Sequence, residues 1–228
     1  MAVSIRGTIV SNDDKWIYDW FEIDATCPKD VIKAIAQEQG EEVVFEINSG
    51  GGDLFAGNEI YYLIKNSKKK TRCSIMGLAA SSATVIACAA DVVDAVPGAQ
   101  YMIHNVSCSQ HGDYNAMDKM SDILKNANIS VSNIYQLKTG MKEKELLKLM
   151  NEETWLDAKK AKEYGFIDEI LGDNGTLAKP FSVYNGVAQI LSDDVKEKIR
   201  NTVKAPPQMD ATMEEAKLIL LKLKGALK

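Results

Sequence analysis

Apolar and polar residues alternate from Val3 to Val10, the period-two pattern of a strand with one exposed face, and Asn12-Asp13-Asp14 interrupts it. From Pro28 to Gln39 the period lengthens. Val31, Ile32, Ile35 and Ala36 then share one face of a helix, and Pro28 suits its first turn, where a missing N–H costs nothing. Val43-Val44-Phe45-Glu46-Ile47 reads as a short strand running into a loop, Asn48-Ser49-Gly50-Gly51-Gly52-Asp53, and a helix carrying Ile60, Leu63 and Ile64 follows. Arg72 to Met76 is again strand-like. It leads through Gly77-Leu78-Ala79-Ala80 into a helix of small residues, Ser81 to Ala90, after which Val92 to Val96 resumes an extended pattern. This strand–helix–strand rhythm predicts an α/β fold of repeated βαβ units on a largely parallel sheet.

Beyond Tyr101-Met102-Ile103-His104, the segment Asn115 to Lys138 predicts one long helix. Met117, Met120, Leu124, Ala127, Val131 and Ile134 form its apolar stripe, and Gly140 ends it. A shorter helix at Glu143 to Met150, the segment Trp155 to Tyr164 and a strand at Ile167 to Leu171 complete this part. After Asp173-Asn174-Gly175 the pattern loosens into a helix-like Asp193 to Val203, a break at Ala205-Pro206-Pro207 and a lysine- and leucine-rich helix from Ala211 to Leu227. The expected organisation is one catalytic domain over residues 1–180 and a C-terminal helical extension over 181–228. The run Leu218-Ile219-Leu220-Leu221 is apolar around most of its helix and needs cover from this chain or a neighbour.

With 228 residues and 46% hydrophobic content, the chain can bury a full α/β core. Its net charge of -5 argues against a nucleic-acid partner, which would require a basic face. The run Lys68 to Lys70 reads as a solvated turn. No apolar stretch approaches the ~20 residues needed to cross a bilayer, and the start lacks the pattern of a secretory leader. The expectation is a cytoplasmic protein with no membrane partner. Cys27, Cys73, Cys88 and Cys108 are scattered without a C-x-x-C pair and read as free thiols, and two histidines without clustered ligands imply neither a metal nor another cofactor.

A serine hydroxyl becomes a useful nucleophile only when an imidazole accepts its proton and a third group orients that imidazole. Two histidines are available. His104 ends a tight apolar strand, whereas His111 lies among Ser109, Gln110, Gly112 and Asp113 in a loop, so rigid placement favours His104. Ser81 follows a strand and the small pair Ala79-Ala80 at a helix start, among backbone N–H groups without intrahelical acceptors. The Gly50-Gly51-Gly52 loop offers a second backbone donor for an oxyanion and would form, with Ser81, two walls of one cleft. Taken singly, each feature has a structural explanation: a serine at a helix start caps it, a glycine triplet turns the chain, and a strand-end histidine packs. Their ordered combination carries the functional reading.

That combination resembles the Clp protease proteolytic-subunit family, and within it the phage-encoded Clp-like head maturation (prohead) proteases. The resemblance rests on Ile47-Asn48-Ser49-Gly50-Gly51-Gly52, Ala56-Gly57 with Ile60-Tyr61, Gly77-Leu78-Ala79-Ala80-Ser81, Met102-Ile103-His104, Thr139-Gly140 and Ala161-Lys162-Glu163-Tyr164-Gly165-Phe166-Ile167-Asp168, in order from about residue 43 to 171. It implies a Clp/crotonase-type fold with the Asn115 to Lys138 helix as a protruding handle. It also implies Ser81 as nucleophile, His104 as base, the backbone N–H groups of Gly52 and Ser82 as oxyanion hole, and Gly50 and Gly51 beside the substrate. The family's acid is an aspartate, and the matching position here is Glu153, ahead of Thr154 and Trp155, with Glu152 and Asp157 as competitors.

Gly50 stands where most Clp proteases carry proline, which makes that segment more flexible. The chain starts almost directly with the first strand, where the family has an N-terminal helix and axial segment, and this weakens the expectation of an unfoldase ATPase partner. The implied partners are polypeptide substrates, including phage capsid or scaffold proteins, and further copies of the chain in a heptameric ring or double ring. Cellular protein turnover as a Clp subunit is the nearest variant. A crotonase-like acyl-CoA enzyme and a non-catalytic ring or scaffold protein are the readings from other classes.

Overall fold

The computed structural model describes residues 2–172 and 193–202. Its centre is a sheet built from β1 (Val3–Ile9), β2 (Ala25–Thr26), β3 (Glu42–Gly52), β4 (Lys70–Ala80), β5 (Val92–Ala95), β6 (Gln100–Ile103), β7 (Thr154–Asp157) and β8 (Glu169–Ile170). The main path runs β2-β1-β3-β4-β5-β8 with every pairing parallel, and the intervening α2 (Pro28–Gln37), α3 (Leu54–Lys65) and α4 (Ser82–Ala87) supply crossovers. This is the expected α/β architecture. Alternating residues of β3 and β4, among them Val43, Phe45, Ile47, Cys73 and Ile75, are fully buried because both central strands are covered by helices.

One edge of β4 has two partners in succession. Arg72 to Ile75 pair with β5, while Leu78, Ala79 and Ala80 pair with Gln100, Tyr101 and Met102 of β6. β6 then takes β7 as an antiparallel neighbour, with Ile103 opposite Thr154. The chain can switch partners because β4 is 11 residues long against four for each of β5 and β6. The switch sets the end of β6 beside the end of β4.

Several expectations shift at this level. The glycine triplet is not a loop: β3 continues through it, pairing Gly51 with Thr8 and Gly52 with Ile9. A Cβ on Gly52 would lie 2.1 Å from the Ile9 carbonyl oxygen, so only glycine lets β3 close on β1 there. Likewise β4 runs on to Ala80, and α4 stops at Ala87, with Cys88 closing its last turn. The helix α1 (Lys15–Trp20) follows the polar break that the sequence pattern left unassigned. Its six residues are too few to display a period.

The remaining helices are α5 (Tyr114–Thr139), α6 (Glu143–Asn151), α7 (Ala158–Glu163) and α8 (Asp193–Thr202). Val195 and Ile199 of α8 share a buried cluster with Val10, Ile17, Tyr18 and Cys27, and Asp14 pairs with Lys196 at 3.5 Å and with Arg200. The described part of the C-terminal extension is therefore packed on the N-terminal edge of the sheet. The helix expected over Ala211 to Leu227 lies outside the described residues.

Asp94 of β5 is 1% exposed, and its carboxylate meets Arg72 of β4 at 2.7 Å; the same guanidinium also reaches Glu42 and Glu169. Removing the cation leaves a buried carboxylate without a counter-charge, which costs far more than a surface pair is worth. Arg72→Met is expected to lower the free energy of unfolding by about 3 kcal/mol in urea titrations. Glu42→Gln, which removes a peripheral partner, is expected to change it by less than about 0.5 kcal/mol.

Candidate active site

Ser81 sits where β4 ends and α4 begins, with φ 55° and ψ −127°. A side chain with a Cβ rarely adopts this conformation, which costs on the order of 1–3 kcal/mol and persists only where neighbours hold it. Three bonds do so. The Ser81 N–H donates to the Met102 carbonyl at 2.9 Å, and the Ser81 carbonyl accepts from the Thr84 N–H at 2.9 Å and the Thr84 hydroxyl at 2.5 Å.

Although Ser81 precedes a helix, its hydroxyl makes no capping bond. It points instead to His104, whose Nε2 lies 2.8 Å from the Ser81 Oγ. With the imidazole proton on Nδ1, Nε2 accepts the serine proton and raises the nucleophilicity of the oxygen. His104 is held from both sides. β6 precedes it, and the chain after it is pinned by Asn105 N–H to the Met150 carbonyl at 3.1 Å and by Val106 N–H to Asn128 Oδ1 at 2.7 Å. His111 is exposed in the segment between β6 and α5.

Gly51 packs against the serine turn, where a Cβ would fall 2.6 Å from the Ala80 carbonyl and 2.8 Å from the Ser81 Cβ. Its own N–H is engaged by Ser49 Oγ at 3.1 Å, and that hydroxyl donates to the Gly7 carbonyl at 2.6 Å. Ser82 opens α4, so its N–H has no intrahelical acceptor, while its side chain is buried. Gly52 thus ends β3, next to the Gly51 that packs on the serine turn, and Ser82 is the first residue of α4.

Among the described residues no carboxylate is hydrogen-bonded to His104, whose side-chain partner is Ser81. The β6–β7 ladder ends at the Ile103–Thr154 pair, with His104 and Glu153 the next residues beyond it, and the Glu153 side chain is exposed and its Oε1 accepts from Trp155 Nε1 at 3.3 Å. The two competitors are engaged elsewhere. Glu152 lies 3.8 Å from Lys148, and Asp157, opposite Gln100, caps α7 through the Lys160 N–H at 2.8 Å.

The cysteines take no part in this arrangement. Cys27, Cys73 and Cys88 are buried and Cys108 is exposed, all as free thiols. Burial pushes the Cys88 thiol up to about 11, and pushes Cys73 and Cys27 upward as well, so all three stay protonated where a normal thiol begins to ionise. Native protein is expected to react quickly with one equivalent of a disulfide reagent at pH 8, at Cys108, and with four after denaturation. A second fast equivalent would contradict the buried placement.

A family model described as Clp protease matches residues 19–174. The chain belongs to the Clp protease family. It is therefore a Clp-type serine peptidase. An ATP-dependent Clp protease proteolytic subunit from Streptococcus mutans is 31% identical over 143 residues, covering 61% of this chain and 73% of the relative. A solved point mutant of ClpP1 from Listeria monocytogenes superposes with a TM-score of 0.61 at 23% identity, over 75% of this chain and 90% of that one, and shares its fold. Among the described residues no helix is long and apolar enough to cross a membrane, and no three His, Cys, Asp or Glu side chains are grouped to hold a metal ion.

Proposed function

We propose that this Clp-type peptidase cleaves internal peptide bonds through Ser81 as nucleophile and His104 as general base, with Glu153 as the acid. The observation that carries the reading is the 2.8 Å contact between Ser81 Oγ and His104 Nε2, made by a serine whose hydroxyl is not used as a helix cap. As Ser81 attacks the peptide carbonyl, His104 takes its proton and later delivers it to the leaving amine, and water repeats the sequence on the acyl-enzyme. The N–H groups of Gly52 and Ser82 would receive the oxyanion, and Gly50 and Gly51 would border the substrate backbone. For this role the Glu153 carboxylate would have to leave Trp155, whose Nε1 it now accepts from, and turn to His104.

The proposed extent of the peptidase domain is residues 1–180, with 181–228 as an extension docked in part through α8. For the substrate, the segment Glu153-Thr154-Trp155 supports processing of capsid or scaffold proteins in phage head maturation, and the Streptococcus mutans relative supports protein turnover in the cytoplasm. Limited cleavage of a folded capsid protein at one site would favour the first; degradation of an unfolded protein to short peptides would favour the second.

Exposed apolar residues along α5, namely Tyr114, Met117, Ile123 and Ile129, support assembly into rings of this chain. Light scattering at micromolar concentration is expected to give a mass several times 25.1 kDa, and a monomeric mass would overturn the ring. Intact-mass spectrometry after fluorophosphonate treatment tests the site itself. One adduct on Ser81, absent from His104→Ala, is the expected outcome; none on a folded oligomer would favour the non-catalytic reading.

A further inference from the structure

Beneath the serine turn lies a buried chain of hydroxyls that the peptidase mechanism does not use. Thr84 of α4 is 0% exposed and Tyr135 of α5 is 1% exposed, and their oxygens are 2.6 Å apart. The Thr84 hydroxyl is also 2.5 Å from the Ser81 carbonyl. A carbonyl can only accept, so the single Thr84 proton goes to Ser81, and the Tyr135 hydroxyl must donate to Thr84. The direction of the relay is therefore determined: Tyr135 O–H to Thr84 Oγ1, Thr84 O–H to the Ser81 carbonyl. Burial raises the ionisation of Tyr135 well above that of a free phenol, so the donor persists through the working pH range. Tyr101 adds a further constraint by donating to the Thr84 carbonyl at 3.1 Å.

The Ser81 carbonyl and the Ser82 N–H belong to one planar, trans peptide unit, in which C=O and N–H point in opposite directions. Pinning the carbonyl on Thr84 therefore aims the N–H the other way. We propose that Thr84, oriented by Tyr135, is a positioning residue that fixes the peptide plane between Ser81 and Ser82 and so presents the Ser82 N–H to the developing oxyanion. The inference rests on Ser81 being the nucleophile. It gives α5 a second role, because the side chain that orients the relay stands on the same helix that carries the exposed apolar residues.

The test is the rate of fluorophosphonate adduct formation on Ser81 in the full-length chain, resolved into its maximal rate and half-saturating concentration, beside the melting temperature of each variant. Thr84→Val is expected to slow the maximal rate about tenfold, the kinetic equivalent of one neutral hydrogen bond, with the half-saturating concentration unchanged. It should also melt lower, because the Tyr135 hydroxyl loses its acceptor. Thr84→Ser should restore the rate to within about twofold of wild type, since the hydroxyl returns. The pair Thr84→Val with Tyr135→Phe removes the orphaned hydroxyl and should recover melting temperature without recovering rate.

A rate that rises with stability in the double variant would make the relay merely structural and overturn the proposal. A wild-type rate in Thr84→Val, on a wild type that labels at Ser81, would overturn it while leaving the nucleophile in place. A wild type that never labels at Ser81 would remove the nucleophile and the proposal together.

Discussion

Ser81→Ala will abolish turnover, lowering the maximal rate by about 10⁴-fold or more while leaving the fold intact, because loss of the nucleophile removes the covalent route altogether. Stability should barely change with alanine, which keeps the Cβ and so keeps the strain of φ 55°. Ser81→Gly separates the two effects. Glycine adopts this conformation freely, so that variant should be as inactive as alanine but more stable by roughly 1 kcal/mol. Equal stability of the two would mean that the turn is not strained, and substantial peptide hydrolysis by either would remove Ser81 from the mechanism. His104→Ala should approach the same rate loss, since the hydroxyl and its base act as a unit.

A large structural effect is expected at Gly52. Its φ is 150°, and a Cβ there would lie 2.1 Å from the Ile9 oxygen and 2.9 Å from the Ile9 nitrogen, both backbone atoms of a paired strand. No rotamer change can relieve such a contact, so β1 and β3 must part where they meet. Gly52→Ala should lose at least about 4 kcal/mol of stability, with the first strand exchanging its amide hydrogens early in hydrogen-exchange measurements. Gly98→Ala is the control, since nothing lies within 4 Å of its added Cβ, and it should behave as wild type. A Gly52→Ala protein with native stability would show that the third glycine is not needed for strand closure, and that the sequence reading of a flexible loop was nearer the truth.

The same glycines show how far the pattern of residues could be read. Three successive glycines carry no hydrophobic period, so they read as a loop, yet they are strand residues, and the last two of them, Gly51 and Gly52, are selected by the closeness of the Ser81 turn on one side and of β1 on the other. Their purpose is a contact with Ile9 and with Ala80, and neither residue is near in sequence. α1 escaped notice for a related reason, since six residues between polar breaks are too short to reveal a face. The pattern of residues left the acid position open among Glu152, Glu153 and Asp157, and in the structure Asp157 pairs with Gln100, Glu152 lies 3.8 Å from Lys148, and Glu153 directly precedes the Thr154 that pairs with Ile103. Even then the Glu153 carboxylate faces Trp155, a detail of side-chain rotation that no pattern encodes.

By itself the sequence determined the α/β class, the long helix now placed at Tyr114–Thr139, the candidate pair Ser81 and His104, and, through its ordered motifs, the resemblance to Clp proteases. These follow from local periodicity and from residue types whose chemistry is intrinsic. Only the tertiary structure decided that the Ser81 hydroxyl serves His104 and not its own helix, that β4 changes partners to bring β6 alongside, and that Thr84 meets Tyr135 51 residues away. Hydrogen-bond direction and backbone strain are properties of a three-dimensional neighbourhood, and a hydroxyl reveals its acceptor only when the chain has closed around it.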